Sequence, residues 1–137
     1  MKLRTALLLA FTSLSLISCQ PTSPEEVLTA YLEKANHGEF EEAAKYADKE
    51  SQSMLMFMAS MTPAADKLKM MQQTVDVNVV TADTKPDVAY VKVDLVLDKK
   101  KKSQGDFVLK KENGDWKVAM GERFNKVKEK EAQAATE

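Results

Sequence analysis

Few residues in this chain have types and spacings that could do chemistry. His37 is the only histidine and Cys19 the only cysteine among 137 residues. A zinc centre needs several Cys or His ligands, so zinc is excluded and no metal site or cofactor is expected. One cysteine also means no disulfide within the chain. His37 stands beside Gly38 at a predicted helix end, where the macrodipole favours a cation, and it reads as a cap rather than a catalyst. No glycine-rich phosphate loop is present, and no serine or cysteine nucleophile has a motif around it. The most unusual local feature is sulfur: Met54, Met56, Met58, Met61, Met70 and Met71 place six thioethers within eighteen residues. Soft thioethers select Cu(I), so copper binding is chemically open. The competing reading is packing. Met54, Phe57, Met58 and Met61 recur at i, i+3, i+4 and i+7, the spacing of an apolar helix stripe, and methionine is an adaptable filler of cores and pockets. These four residues, with Tyr31, are the expected lining of any ligand pocket.

The stretch around the cysteine decides where the protein resides. Lys2 and Arg4 form a positive start, residues 6–11 with Leu14, Leu16 and Ile17 an apolar core, and Ser13, Ser15 and Ser18 a cluster of small residues. That is the layout of a secretory signal, and its apolar part is short of the about 20 residues of a membrane span. Leu16-Ile17-Ser18-Cys19 resembles the lipobox of bacterial lipoproteins. The resemblance implies that residues 1–18 are removed, that Cys19 becomes the lipidated first residue, and that the protein is held to a membrane through that lipid. Gln20, not an acid, implies sorting to the outer membrane, facing the periplasm.

Removing residues 1–18 deletes Lys2 and Arg4 from the 20 basic residues and none of the 21 acidic ones, leaving a formal charge of −3. A mildly acidic surface argues against nucleic acid as a partner. The remaining length suits one domain, residues 24–121, after a lipidated cysteine and short tether at 19–23 and before a charged tail at 122–137. The tail alternates charges without an apolar stripe and reads as a frayed helix or disordered chain.

The elements follow from local signals. Ser23, Pro24 and Glu26 make a capping box that opens a helix carrying Val27, Leu28, Tyr31, Leu32 and Ala35, and Gly38 closes it. A second helix follows, with Phe40, Ala43, Ala44 and Ala47 inward. Residues 51–61 form a third, and Thr62-Pro63 reads as a cap and proline opening a further helical stretch over 64–73, or as a kink in one helix. The period then drops to two. Val75, Val77 and Val79 mark a strand, residues 83–87 a turn, and residues 88–98 a second strand with Ala89, Val91, Val93, Leu95 and Leu97 on one face. Residues 99–105 are expected to connect it to a third strand around Phe107 and Leu109. Asn113-Gly114 signals a type I′ hairpin into a fourth strand with Trp116, Val118 and Met120. The lysines at 99–102 read as a solvated hairpin tip, with contact to anionic headgroups as the alternative. Helices first and an antiparallel meander after them give an α+β domain of about four strands.

This order, with the strand start Asn113-Gly114-Asp115-Trp116-Lys117-Val118, resembles the nuclear-transport-factor-2-like superfamily over residues 24–121. The match is closest to small bacterial lipoproteins catalogued as a lumazine-binding-like domain of unknown function. The resemblance implies a cystatin-like cone in which a curved sheet wraps the helices and the open end can hold a small apolar ligand. Isomerase members use a pocket carboxylate with tyrosine or protonated acid donors. By residue type the candidates here are Asp76, Asp94, Tyr31, Tyr46 and Tyr90, none set by a motif, and the two acids fall on the polar phases of their strands. The expected role is therefore a non-enzymatic binding or interaction module for a small apolar ligand or a protein. A pocket-carboxylate enzyme is one alternative. A homodimer through a sheet face carrying Val80, Val88, Tyr90, Val96 and Val108 is another.

Overall fold

The computed structural model of the chain describes residues 20–122 and 133–136. Residues 1–18, Cys19 and most of the charged tail therefore lie outside the described residues. Four helices precede four strands: α1 (Pro24–Asn36), α2 (Phe40–Ala44), α3 (Lys49–Met61), α4 (Ala64–Gln72), β1 (Val75–Thr84), β2 (Val88–Leu97), β3 (Lys101–Glu112) and β4 (Asp115–Val118). The strands form one antiparallel sheet in the order β1-β2-β3-β4, as expected for an α+β meander. Among the described residues no helix is long and apolar enough to cross a membrane.

Local chemistry fixes the ends of α1. The Ser23 hydroxyl accepts the Glu26 N–H at 3.2 Å, and the Glu26 carboxylate accepts the Ser23 N–H in return at 3.5 Å. Those bonds satisfy donors that the first helical turn leaves orphaned. At the other end Gly38 adopts φ +75°, which favours glycine. Asn113 and Gly114 at φ +51° and +85° form the tight turn between β3 and β4.

Three expectations are corrected. The α3 helix begins at Lys49, not Ser51, because the Asp48 side chain caps it by accepting the Ser51 N–H at 2.8 Å. Thr62 does not open α4. Its hydroxyl donates back to the Met58 carbonyl at 2.7 Å, and α4 starts behind Pro63 with no side-chain cap. The expected connection over 99–105 shrinks to the Asp98-Lys99-Lys100 turn, and β3 pairs from Lys101 opposite Leu97 onward. Asp98 makes this turn possible: it adopts φ +51°, its N–H donates to Thr74 O at 3.0 Å, and its carboxylate accepts the Thr74 N–H at 3.0 Å.

The core forms where the sheet's inner face meets α1 and α2. Val27, Leu28, Tyr31 and Leu32 of α1 pack with Phe40, Ala43, Ala44 and Ala47, with Leu55 of α3, and with Ala89, Val91, Val93, Phe107, Leu109, Trp116 and Val118 of the sheet. The β4 edge is covered, since Val118 exchanges backbone hydrogen bonds with Tyr46 and Asp48 at 2.8 and 2.9 Å. Among the described residues no strand pairs with the outer edge of β1, and its register on β2 slips by one residue at Val80.

Candidate functional site

Between the helices and the distal half of the sheet lies a half-open cavity of about 360 Å³. Its walls are Tyr31, Leu32, Ala35 and Asn36 of α1, Met54, Leu55 and Met58 of α3, Met70 of α4, Val93 and Leu95 of β2, Ser103, Gln104, Gly105 and Phe107 of β3, and Met120. Secondary structure explains each contribution. Opposed pairs Val93↔Gly105 and Leu95↔Ser103 put alternate residues of β2 and β3 on the inner face. In α1, Tyr31, Leu32 and Ala35 share one face of the helix. Neutral polar groups come from Asn36, Ser103, Gln104 and the Tyr31 phenol, and among the described residues no carboxylate, lysine, arginine or histidine lines the walls.

Of the five residues expected to line a pocket, Tyr31, Met54 and Met58 do so. Phe57 and Met61 do not, being 65% and 68% exposed. Two causes act. Ser51 is completely buried and its hydroxyl accepts the Met120 N–H at 2.8 Å, which turns Ser51 and Leu55 inward and carries Phe57 to solvent. Met61 shares the side of Met54 but is the last residue of α3, past the end of the cavity lining. The sequence stripe at 54, 57, 58 and 61 thus reaches the cavity only through Met54 and Met58. The other methionines divide the same way: Met70 lines the cavity while Met56 and Met71 are exposed. Met120 and the glycine at 105 were not anticipated as lining, although the inward phase of Phe107 extended by two residues reaches Gly105.

The acid and phenol candidates are not brought together. Tyr31 is buried at the cavity, whereas Tyr46 flanks a depression beside Gln20 and Trp116, and Tyr90 lines a separate cleft with Lys85 and Asp106. Asp76 is exposed on β1. Asp94 accepts a hydrogen bond from Gln104 Nε2 at 2.9 Å and lies 3.2 Å from Lys102 Nζ, and these two contacts, in that order, hold its carboxyl below the usual carboxylate range. A pocket base working near neutral pH needs the opposite shift. Of the sheet-face residues named for a dimer, Val80 is exposed, Val88, Tyr90 and Val96 are half-buried, and Val108 is buried at 5% exposure.

His37 closes α1, and its Nε2 lies 3.1 Å from the Gln73 carbonyl. The Gln73 amide donates to the Asn36 carbonyl. This clasp joins the C-terminal ends of α1 and α4 beside the cavity. Among the described residues no group of three or more His, Cys, Asp or Glu side chains is placed to hold a metal ion.

No family model and no curated protein matches the sequence. The crystal structure of a Campylobacter jejuni protein provisionally named an NTF2-like transpeptidase matches at 15% identity with a TM-score of 0.54, covering 70% of this chain and 96% of that one. That likeness, with the helices and four-stranded antiparallel sheet, gives the chain an NTF2-like fold. The finer resemblance to lumazine-binding-like lipoproteins rests on the sequence pattern alone.

Proposed function

We propose that this chain is a bacterial envelope lipoprotein, held through lipid on Cys19, whose domain is a non-enzymatic module that binds a small apolar ligand in the cavity beside Met54 and Met58. The observation that carries the reading is the cavity itself. Its volume falls at the lower end of the range of about 300–1,000 Å³ common to ligand sites, and its walls are apolar with a few neutral polar groups. The fold alone does not decide between binding and catalysis.

The positions of tether and mouth suit such a role. Residues 20–22 lie beside the Asn113–Gly114 turn, at the N-terminal end of α1, while the cavity lies at its C-terminal end. Along α1 the lining residues Tyr31 to Asn36 stand about 10–18 Å from Pro24. With Cys19 embedded in the outer membrane, the mouth faces the periplasm rather than the anchoring bilayer, and the ligand arrives from that side.

The transpeptidase name of the structural neighbour suggests a second reading, acyl transfer. That chemistry requires a nucleophile beside a base. Ser103 is the serine in the cavity wall, and no base stands with it among the described lining residues; the hydrogen bonds of Ser51, Ser53 and Ser60 go to backbone groups, and His37 is engaged at Gln73. Binding is therefore the reading we favour.

The test is titration of the full chain carrying Cys19→Ser with the uncharged fluorophore N-phenyl-1-naphthylamine. Met58→Asp places a charge in the cavity wall at a half-exposed helical site and is expected to weaken probe binding at least tenfold. Met61→Asp, at a 68% exposed site outside the lining at the end of α3, is expected to bind within twofold of the parent. Equal behaviour of the two variants refutes the cavity as the site. For the anchor, fatty-acid labelling is expected to vanish in Cys19→Ala, and labelling that persists contradicts it.

A further inference from the structure

We infer that the preferred ligand is a single-chain amphiphile with an anionic head, carboxylate or phosphate, its tail in the cavity and its head on the lysines of the β2–β3 turn. This rests on the cavity reading above and adds the chemical class of the ligand. Among the described residues no charged side chain lines the walls, so a charged head finds no partner there and remains at the mouth. The mouth is where the strand register delivers cations. Lys101 pairs with Leu97 and shares the inner phase of β3 with Ser103 and Gly105, both lining residues. Its Cα stands two residues beyond Ser103, about 6.6 Å along the strand, a distance that a lysine stem spans while keeping its ammonium in water. Lys99 and Lys100 extend the same cationic edge around the turn.

Their charge is not spent on neighbours. Among the described residues, Lys102 is paired with Asp94, whereas no ion pair engages Lys99, Lys100 or Lys101. The acids nearby are already engaged. Asp94 takes Lys102 and Gln104, and Asp98 accepts the Thr74 N–H. In a protein whose mature formal charge is acidic, three unpaired lysines at the lip of an apolar cavity favour an anion over a neutral or cationic head.

The experiment displaces N-phenyl-1-naphthylamine from the full chain carrying Cys19→Ser with decanoate, decyl phosphate, decanol and decylammonium, all below their critical micelle concentrations. The expected order is either anion first, decanol about tenfold weaker, and decylammonium weaker still, a gap of the size that a few exposed charge contacts provide. Added salt narrows the gap. In Lys101→Gln the ratio of decanoate to decanol affinity falls at least threefold, and in the Lys99→Gln, Lys100→Gln, Lys101→Gln triple variant it approaches one. Decanoate ahead of decyl phosphate identifies a free fatty acid, and the reverse order a lysophospholipid-type head. If decanol competes as well as the anions, the anionic preference is overturned while the cavity stands. A fluorophore that does not bind at all overturns the cavity reading with it.

Discussion

Two side chains carry consequences that a measurement can reach directly. Ser51 is the one buried polar residue of the described core, and its hydroxyl is the partner of the Met120 N–H. Ser51→Ala leaves that donor without an acceptor and is expected to cost about 1–3 kcal/mol in denaturant unfolding, far more than removal of an exposed hydroxyl. A loss below about 0.5 kcal/mol would show that α3 is not held by this bond. Asp94 works through charge. Because Gln104 and Lys102 lower its carboxyl pKa in the folded state, the native protein binds fewer protons there than the unfolded chain. Its stabilisation is fully present above the unfolded value, about 3.9, and is lost as pH falls through the lowered native value. The gap in melting temperature between parent and Asp94→Asn is therefore expected to hold constant from pH 5 to 8 and to close below about pH 4. A gap that widens toward acid contradicts the assignment.

Among the elements, α4 is the least anchored. It has no buried residue, and Met70 with the Gln73 clasp ties it to α1. Gln73→Ala is expected to raise amide exchange across residues 64–72 without a matching fall in global stability, since loosely packed elements open locally. Exchange that rises uniformly across the core would place α4 in the cooperative unit instead. The elements also show where sequence was legible. The capping box at Ser23, Gly38 and the Asn113–Gly114 turn were readable because each signal acts on its own few residues. The rotation of α3 was not. Apolar residues occupy nearly every position from Met54 to Met61, so periodicity alone allowed a stripe through Phe57, and the distant Met120 N–H decided the rotation, while Met61 lies past the cavity at the end of the helix. In β1 the slip at Val80 reverses the alternation, which hid the strand's second half. In β3, lysines on both phases concealed its start.

At the scale of the whole molecule, the domain has two poles. Residues 20–22 and the Asn113–Gly114 turn mark one, and the cavity, the α1–α4 clasp and the lysine turn mark the other. The order of helices and strands made this α+β architecture readable in advance, but only the pairing register put Ser103 and Gly105 in the same wall as Met54 and Met58. The methionines offer a direct test of that wall, because they sit on both sides of it. In a methyl-¹³C-methionine spectrum of the full chain carrying Cys19→Ser, titrated with decanol, the methyls of Met54, Met58, Met70 and Met120 are expected to shift together and saturate. Those of Met56, Met61 and Met71 on the outer surface are expected to stay in place. Saturating shifts confined to the outer three, or no shift at any of the seven, would contradict a binding cavity at this end of the fold.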